Sequence, residues 1–154
     1  MTTLSKDVSI YNAFRGQYSN RNLFPSEEYG VGGYNTVRGY KEREINGDNA
    51  FLWNFELRSP QIRILDHLLR RKESRKSIPD ALQLLLFFDL GWVGLHKTEN
   101  YEPRNQHALS FGPGVRYSVT PYLNFRADYG QQLRNIPNHS GPHHRLHFSL
   151  IAGY

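Results

Sequence analysis

Apolar and polar residues alternate along most of this chain, a pattern that predicts β-strands with one apolar face and one polar face. In the clearest example, the segment 51–59, every second residue from Phe51 to Leu57 is large and apolar. Pro60 ends that strand, because proline cannot donate a hydrogen bond to a ladder. Pro113 predicts a bulge or a local distortion inside another strand. The segments predicted to form antiparallel strands are 8–19, 51–59, 82–94, 109–119, 122–129 and 144–154.

The segment 20–48 interrupts the alternation and predicts a long, shaped loop. Glycine gives the backbone access to positive φ and lets it approach other parts of the chain closely. The glycines of the loop are Gly30, Gly32, Gly33, Gly39 and Gly47. Arg38 lies in the same loop, between Val37 and the pair Gly39-Tyr40. A guanidinium with apolar and aromatic neighbours is predicted to be buried or half-buried and to have an acidic partner.

The connection 61–80 admits two interpretations. Ile62, Leu65, Leu68 and Leu69 recur at helical spacing ahead of a basic run, so a short amphipathic helix and an irregular connection both remain open. The basic residues of the run are Arg70, Arg71, Lys72, Arg75 and Lys76.

Composition supports strands that separate an apolar environment from water. Aromatic residues make up 14% of the chain, yet the mean hydropathy is −0.64, so large rings are scattered among polar residues. No apolar run is long enough for a transmembrane helix, which leaves a membrane-spanning strand possible. The chain has no cysteine, and its start lacks the basic and hydrophobic regions of a secretory signal.

The charge and the candidate chemistry do not indicate catalysis. The net charge of +5 is concentrated in the run 70–76, which is interpreted as a solvated connection, and no nucleic-acid partner is expected. The segment 30–39 lacks the Lys-Ser/Thr ending of a phosphate-binding loop. We therefore expect no enzyme activity, cofactor or metal. The histidines that lack zinc-ligand spacing are His139, His143, His144 and His147. The charged residues expected on the polar face are Glu56, Arg58, Arg116, Arg126 and Asp128.

Several motifs together resemble one family, the haemolysin secretion and activation transporters of two-partner secretion, which are relatives of the barrel-assembly outer-membrane proteins. The motifs are Leu23-Phe24-Pro25-Ser26-Glu27-Glu28-Tyr29, Val31-Gly32-Gly33, Val37-Arg38-Gly39-Tyr40, Gly47-Asp48-Asn49, Glu56-Leu57-Arg58-Ser59-Pro60 and Phe87-Phe88-Asp89-Leu90-Gly91. Two motifs in the right order are more specific than either alone. The resemblance implies an all-β fold, the C-terminal part of an antiparallel transmembrane β-barrel, with residues 20–48 as a plug loop in its lumen.

The resemblance also implies the site. Arg38 at the loop tip is expected to form an ion pair with Asp89 on the inner wall and so to hold the loop in place. The accompanying loop-motif residues are Gly32, Gly33, Val37, Gly39 and Tyr40, and those of the wall motif are Phe87 and Gly91. The alternating C-terminal end resembles an assembly signal, carried by Phe148, Leu150 and Tyr154.

The function that the resemblance implies is a pore in the outer membrane of a Gram-negative bacterium that secretes a haemolysin- or adhesin-like partner polypeptide. The barrel-assembly machinery and outer-membrane lipid are its other expected partners. Since barrels of this kind start at eight strands, six strands predict a C-terminal fragment or a truncated or split reading frame.

Three other hypotheses stay open at this stage. The chain could belong to a factor that assembles or inserts other barrels, or it could be a truncated, non-functional remnant. It could also be a soluble β-sandwich in which the aromatic rows pack between two sheets.

Overall fold

The computed structural model describes residues 2–3, 8–65, 79–98, 103–136 and 141–153, and within them the chain is all-β, as predicted. The strands are β1 (Thr2–Thr3), β2 (Ser9–Gln17), β3 (Tyr29–Val31), β4 (Ile45–Gly47), β5 (Asn49–Arg58), β6 (Asp80–Gly94), β7 (Asn105–Val119), β8 (Leu123–Gln132) and β9 (His144–Ala152). No helix in these ranges is long and apolar enough to cross a membrane.

Seven strands form one antiparallel sheet in the order β1-β2-β5-β6-β7-β8-β9. Apart from the two-residue β1, they are the six predicted strands, and neighbours in the sheet follow one another along the chain once the loop between β2 and β5 is set aside. Among the described residues no ladder joins β9 to β1, so the sheet is open. The architecture is consistent with part of a β-barrel.

The two faces of the sheet differ as the alternation predicted. The face that carries the aromatic rows is exposed, with Phe14 64%, Leu86 60% and Phe148 73% accessible. Phe14 stacks on Trp53 of the neighbouring strand, and Trp53 meets Phe88 edge to face, so the rings pack side by side along this face. No second sheet covers them in the described part of the chain, which argues against the β-sandwich hypothesis.

A polar residue interrupts the apolar face of β2 for a local reason. Asn12 points to the same side as Phe14, and its Oδ1 accepts a hydrogen bond of 3.1 Å from the indole N–H of Trp53. An indole N–H without a partner is costly in apolar surroundings, so Asn12 satisfies a donor that the aromatic row creates.

Pro113 leaves a gap in one ladder without shifting the register. Across β7 and β8, Ser110 pairs with Gln132 and Gly114 pairs with Asp128, which is the same register on both sides of the proline. The ladder with β6 continues through the proline, where Leu86 pairs with Pro113. The predicted distortion is therefore an interruption on the β8 side, where proline lacks its donor, and not a bulge.

The 20–48 loop folds back over the polar face of the sheet. Its flanks pair as a short ribbon, β3 with β4, which the glycine content had not predicted. The ribbon supports a tip formed by residues 32–44. The buried apolar core lies between this loop and the sheet, and its fully buried members include Val31, Val37, Tyr40 and Leu52. Thus the polar face of the sheet, which the loop covers, buries more of the chain than the apolar face does.

The connection between β5 and β6 begins with an isolated bridge between Ile62 and Leu82, and residues 64–65 are helical. The basic run 70–76 and the rest of the connection lie outside the described residues. β6 and β7 both run longer than predicted, from Asp80 and from Asn105.

Candidate functional site

Arg38 at the loop tip binds Asp89 in the middle of β6. Arg38 Nε lies 2.7 Å from Asp89 Oδ2, and Nη2 lies 2.8 Å from Oδ1, which is a bidentate pair. The backbone N–H of Arg38 also donates to Oδ2, at 3.1 Å. Both side chains are almost fully buried, at 3% and 0% accessible. The carboxylate therefore fixes both the side chain and the backbone of the loop tip.

Two further carboxylates share the same guanidinium. Arg38 Nη1 lies 2.7 Å from Glu56 Oε1 on β5 and 3.5 Å from Asp128 Oδ1 on β8. The face of the guanidinium packs on the ring of Phe87, 3.7 Å from its centroid. Burial alone would lower the pKa of Arg38, but the hydrogen bond to Asp89 and the three negative charges outweigh it and raise the pKa above its usual value. Arg38 thus stays charged at every physiological pH.

Three other arginines complete the network around these carboxylates. Arg58 donates twice to Glu56, while Arg116 and Arg126 each bind Asp128, at 2.8 and 2.7 Å. The Arg126 guanidinium also lies over the ring of Tyr34 in the loop, 4.0 Å from its centroid. Because Glu56 and Asp128 each have at least two cationic partners and Asp89 has Arg38, the cluster avoids the cost of an unpaired buried charge.

A row of polar side chains across four neighbouring strands holds the backbone of the loop tip. Register places Asn54, Asp89, Ser110 and Gln132 at one level of the sheet. The Asn54 amide donates to Thr36 O at 2.6 Å and to Asp89 at 2.8 Å. On the other side of the tip, the Gln132 amide donates to the carbonyl of Gly39, at 2.8 Å.

Tyr40 fixes the tip at a second point. Its hydroxyl lies 2.8 Å from the carbonyl of Leu109 and 2.6 Å from that of Arg134, and it accepts the N–H of Leu109 at 3.1 Å. Burial raises the pKa of Tyr40, so the hydroxyl keeps the proton that it donates.

Small residues of the wall make room for the loop. A Cβ at Gly91 would lie 2.4 Å from Val31 and 2.9 Å from Val37, so a side chain there would displace the loop. Gly39, at φ 93°, passes so close to Gly130 of β8 that a Cβ on either residue would collide with the other's backbone. Gly32 and Gly33 of the loop motif likewise have positive φ.

The root of the loop has a separate set of bonds, which we call the root clamp. The buried Asp48 accepts the N–H groups of Leu23 and His96, at 2.6 and 2.7 Å. Asn49 Oδ1 accepts the N–H of Ser19, at 2.8 Å. The loop runs from the end of β2 to the start of β5, and these contacts join both points to the end of β6.

The structure brings together most of the residues that the sequence singled out. Arg38, Asp89, Phe87, Gly91 and the loop motif form one contiguous site on the polar face. Phe148 and Leu150 lie apart from it on the exposed apolar face of β9. Tyr154 lies outside the described residues.

Some contributors were not predicted. In the sequence, His147 is only one of the histidines without zinc-ligand spacing, yet its Nε2 accepts the N–H of Gly39, at 3.1 Å. Arg15 and Asn54 also contact the loop, with Arg15 Nη2 2.9 Å from both Asn35 O and Asn54 Oδ1. Alternation along the strands places these residues on the polar face. It does not show how far along the sheet each residue lies, and therefore which of them reach the loop. In the described ranges, no group of three or more acidic or histidine side chains is arranged to hold a metal.

An open antiparallel sheet with an exposed aromatic face and a loop locked onto its polar face defines a class, the β-barrel proteins of the outer membrane. Comparison with known proteins gives the family. The haemolysin secretion/activation protein ShlB/FhaC/HecB family matches residues 2–117, and the chain belongs to this family. Membership locates the chain in the outer membrane of a Gram-negative bacterium. It is a family of transporters, which supports at that level the expectation of a protein without enzyme activity.

One curated relative can be compared in more detail. The outer membrane transporter CdiB of Dickeya dadantii (strain 3937) is 35% identical over 54 residues, which cover 35% of this chain and 10% of that transporter. No solved structure matches the chain significantly. Arg38, Glu56 and Asp89 lie inside the range that the family matches, whereas Asp128 and His147 lie beyond it.

Proposed function

We propose that this chain is the C-terminal part of the barrel of an outer-membrane pore that secretes a partner polypeptide in two-partner secretion. The family and the outer-membrane transporter among its relatives support this role. The partner would be a large haemolysin- or adhesin-like protein. Outer-membrane lipid would contact the exposed aromatic face, and the barrel-assembly machinery would insert the chain.

In this proposal the Arg38–Asp89 ion pair locks the 20–48 loop inside the lumen, and the observation that carries it is the buried bidentate geometry of that pair. Loss of Arg38 would leave the buried Asp89 carboxylate without its cationic partner, and removing one partner of a buried, hydrogen-bonded pair costs about 3–5 kcal/mol. Loss of the pair would therefore weaken the attachment of the tip to β6 and change the shape of the channel.

Secretion of the partner tests the lock. We expect Arg38→Ala and Asp89→Ala in the intact protein to impair secretion, and the double variant to lose little more than Arg38→Ala, since the Arg38–Asp89 bond is already lost in each single variant. Arg21→Ala is the matched control, because Arg21 lies exposed in the same loop, away from the tip. The amount of folded protein in the outer membrane is measured in parallel. Wild-type secretion by both single variants at equal protein levels would refute the lock.

Deletion of the gene distinguishes a role in secretion from a role in barrel assembly. A pore for two-partner secretion exports one partner and leaves other outer-membrane proteins at normal levels when it is deleted. A general loss of outer-membrane barrels on deletion would instead identify an assembly factor.

A further inference from the structure

A second feature of the polar face is a pocket of about 290 Å³ beside the loop tip. Its wall is rich in one residue type, arginine: Arg15, Arg38, Arg58, Arg116 and Arg126. The carboxylates that bond to these arginines are Glu56, Asp89 and Asp128. Five guanidinium groups against three carboxylates leave an excess of positive charge in this part of the sheet.

The arginines also have hydrogen-bonding capacity left over. Arg58 binds Glu56 through Nε and Nη2, and Arg126 uses Nε for Asp128 and Nη2 for the carbonyl of Tyr34. Within the described residues, Nη1 of each has no acceptor. The side chains of Arg58, Arg116 and Arg126 remain 22–28% accessible, so these donors face the open pocket.

Arg15 is the clearest case of an uncompensated charge. Its Nη2 donates to two neutral oxygens, on Asn35 and Asn54, and it has no carboxylate partner in the part of the chain that the structure describes. These two bonds hold the exposed side chain at the pocket. A fixed, unpaired guanidinium next to other guanidinium groups is suited to bind an oxyanion through paired N–H donors.

We propose that this arginine pocket binds carboxylate side chains of the polypeptide that passes through the pore. The inference rests on the proposed function and adds a substrate preference to it: acidic stretches of an unfolded chain would pause at the pocket beside the loop tip. Because the arginine side chains are accessible to solvent, each contact with a substrate carboxylate is weak and exchanges quickly, as a moving substrate requires.

Peptide binding to the intact, purified protein in detergent tests the pocket. A short fluorescent poly-glutamate peptide is expected to bind, and its poly-glutamine counterpart is not. Arg15→Gln is expected to weaken poly-glutamate binding by about three-fold, as befits one partly exposed charged contact. A second variant, Arg58→Gln, lies on the other side of the pocket. In this variant Glu56 still has Arg38 as a partner. The control is Arg21→Gln, which removes the same charge from an exposed site outside the pocket.

Three results would overturn the proposal: equal binding of the two peptides, wild-type affinity in both pocket variants, or an equal loss in the Arg21→Gln control. Phosphate and chloride salts at equal ionic strength test the source of the oxyanion. We expect both salts to weaken binding equally, by screening. Displacement by phosphate alone at low concentration would reassign the pocket to a free anion and would also overturn the proposal.

Secretion is measured separately, so that the two proposals fail in different ways. If the wild-type protein secretes its partner but does not prefer poly-glutamate, only the pocket proposal fails. If the pocket binds the acidic peptide but deletion of the gene leaves secretion intact, the proposed function fails.

Discussion

At the scale of single residues, Arg38 is the point at which the loop meets three strands, β5, β6 and β8. It combines a bidentate bond to Asp89, a bond to Glu56 and an approach to Asp128 with stacking on Phe87. Lysine could supply the charge but not the planar fork or the stacked face. The residue type at this position is therefore fixed by geometry as well as by charge.

The close approach of Gly39 and Gly130 gives a steric test of loop docking that alters no charge. A Cβ at Gly130 would lie 2.5 Å from the N atom of Gly39. We expect Gly130→Ala to push the tip away from β8 and to destabilise the docked loop by about 1–3 kcal/mol, as overpacking does. Limited proteolysis should then cut the loop faster than in the wild type.

Gly153→Ala is the matched control, because its nearest neighbour, Pro121 O, would lie 3.6 Å from the new Cβ, an ordinary contact. If Gly130→Ala were as resistant to proteolysis as this control, the loop would not depend on the close approach.

At the scale of elements, the 20–48 loop has two attachments of different kinds. The tip is held by a buried ion pair together with polar side chains of the sheet, whereas the root clamp is made of bonds from backbone N–H groups to Asp48 and Asn49. This division means that the tip can be released while the loop stays tied to the ends of β2, β5 and β6.

Asp48→Asn tests the root clamp separately from the tip. The carboxylate accepts one N–H on each oxygen, and an amide has only one acceptor, so one buried donor is left unsatisfied at a cost of about 1–3 kcal/mol. We expect faster hydrogen exchange at the amides of Leu23 and His96 and unchanged exchange in the middle of β6. Glu27→Gln, at an exposed site of the same loop, is the control. Equal exchange rates in the two variants would contradict the clamp.

At the scale of the whole molecule, the exposed aromatic face and the buried polar face reverse the arrangement of a water-soluble protein. An apolar patch of this extent on a monomer marks an interaction with lipid or with another protein. Family membership identifies that environment as the outer membrane.

Leu86→Arg tests the membrane-facing side. Leu86 lies near the middle of β6 and is 60% exposed. An arginine on the lipid face at the bilayer midplane costs about 2–4 kcal/mol, and less towards the interfaces. Unfolding titrations in lipid vesicles should show this loss of stability for the intact protein. Leu133→Arg, at an exposed residue beyond the end of β8, should cost much less. An equal loss of stability at the two positions would contradict the placement of Leu86 on the lipid face near the bilayer midplane.

Much of the fold could be predicted from the sequence, because a period of two along a strand fixes which face each side chain occupies. The six strands, the apolar rows and the inward direction of Asp89, Glu56 and Asp128 all follow from that period. The pairing of Arg38 with Asp89 did not come from alternation. It was implied by the resemblance of two motifs to one family, and in the structure the two groups are in contact.

What the sequence by itself determined was therefore the set of strands, their two faces and the family. Only the tertiary structure decided that Glu56, Asp128, Gln132 and His147 meet the same loop tip, and that Arg15 lies at the pocket. The physical reason is that alternation specifies a face but not a level. The level of each residue depends on the register of the ladders and on how far the loop reaches across them, and both are set by contacts between residues distant in the chain.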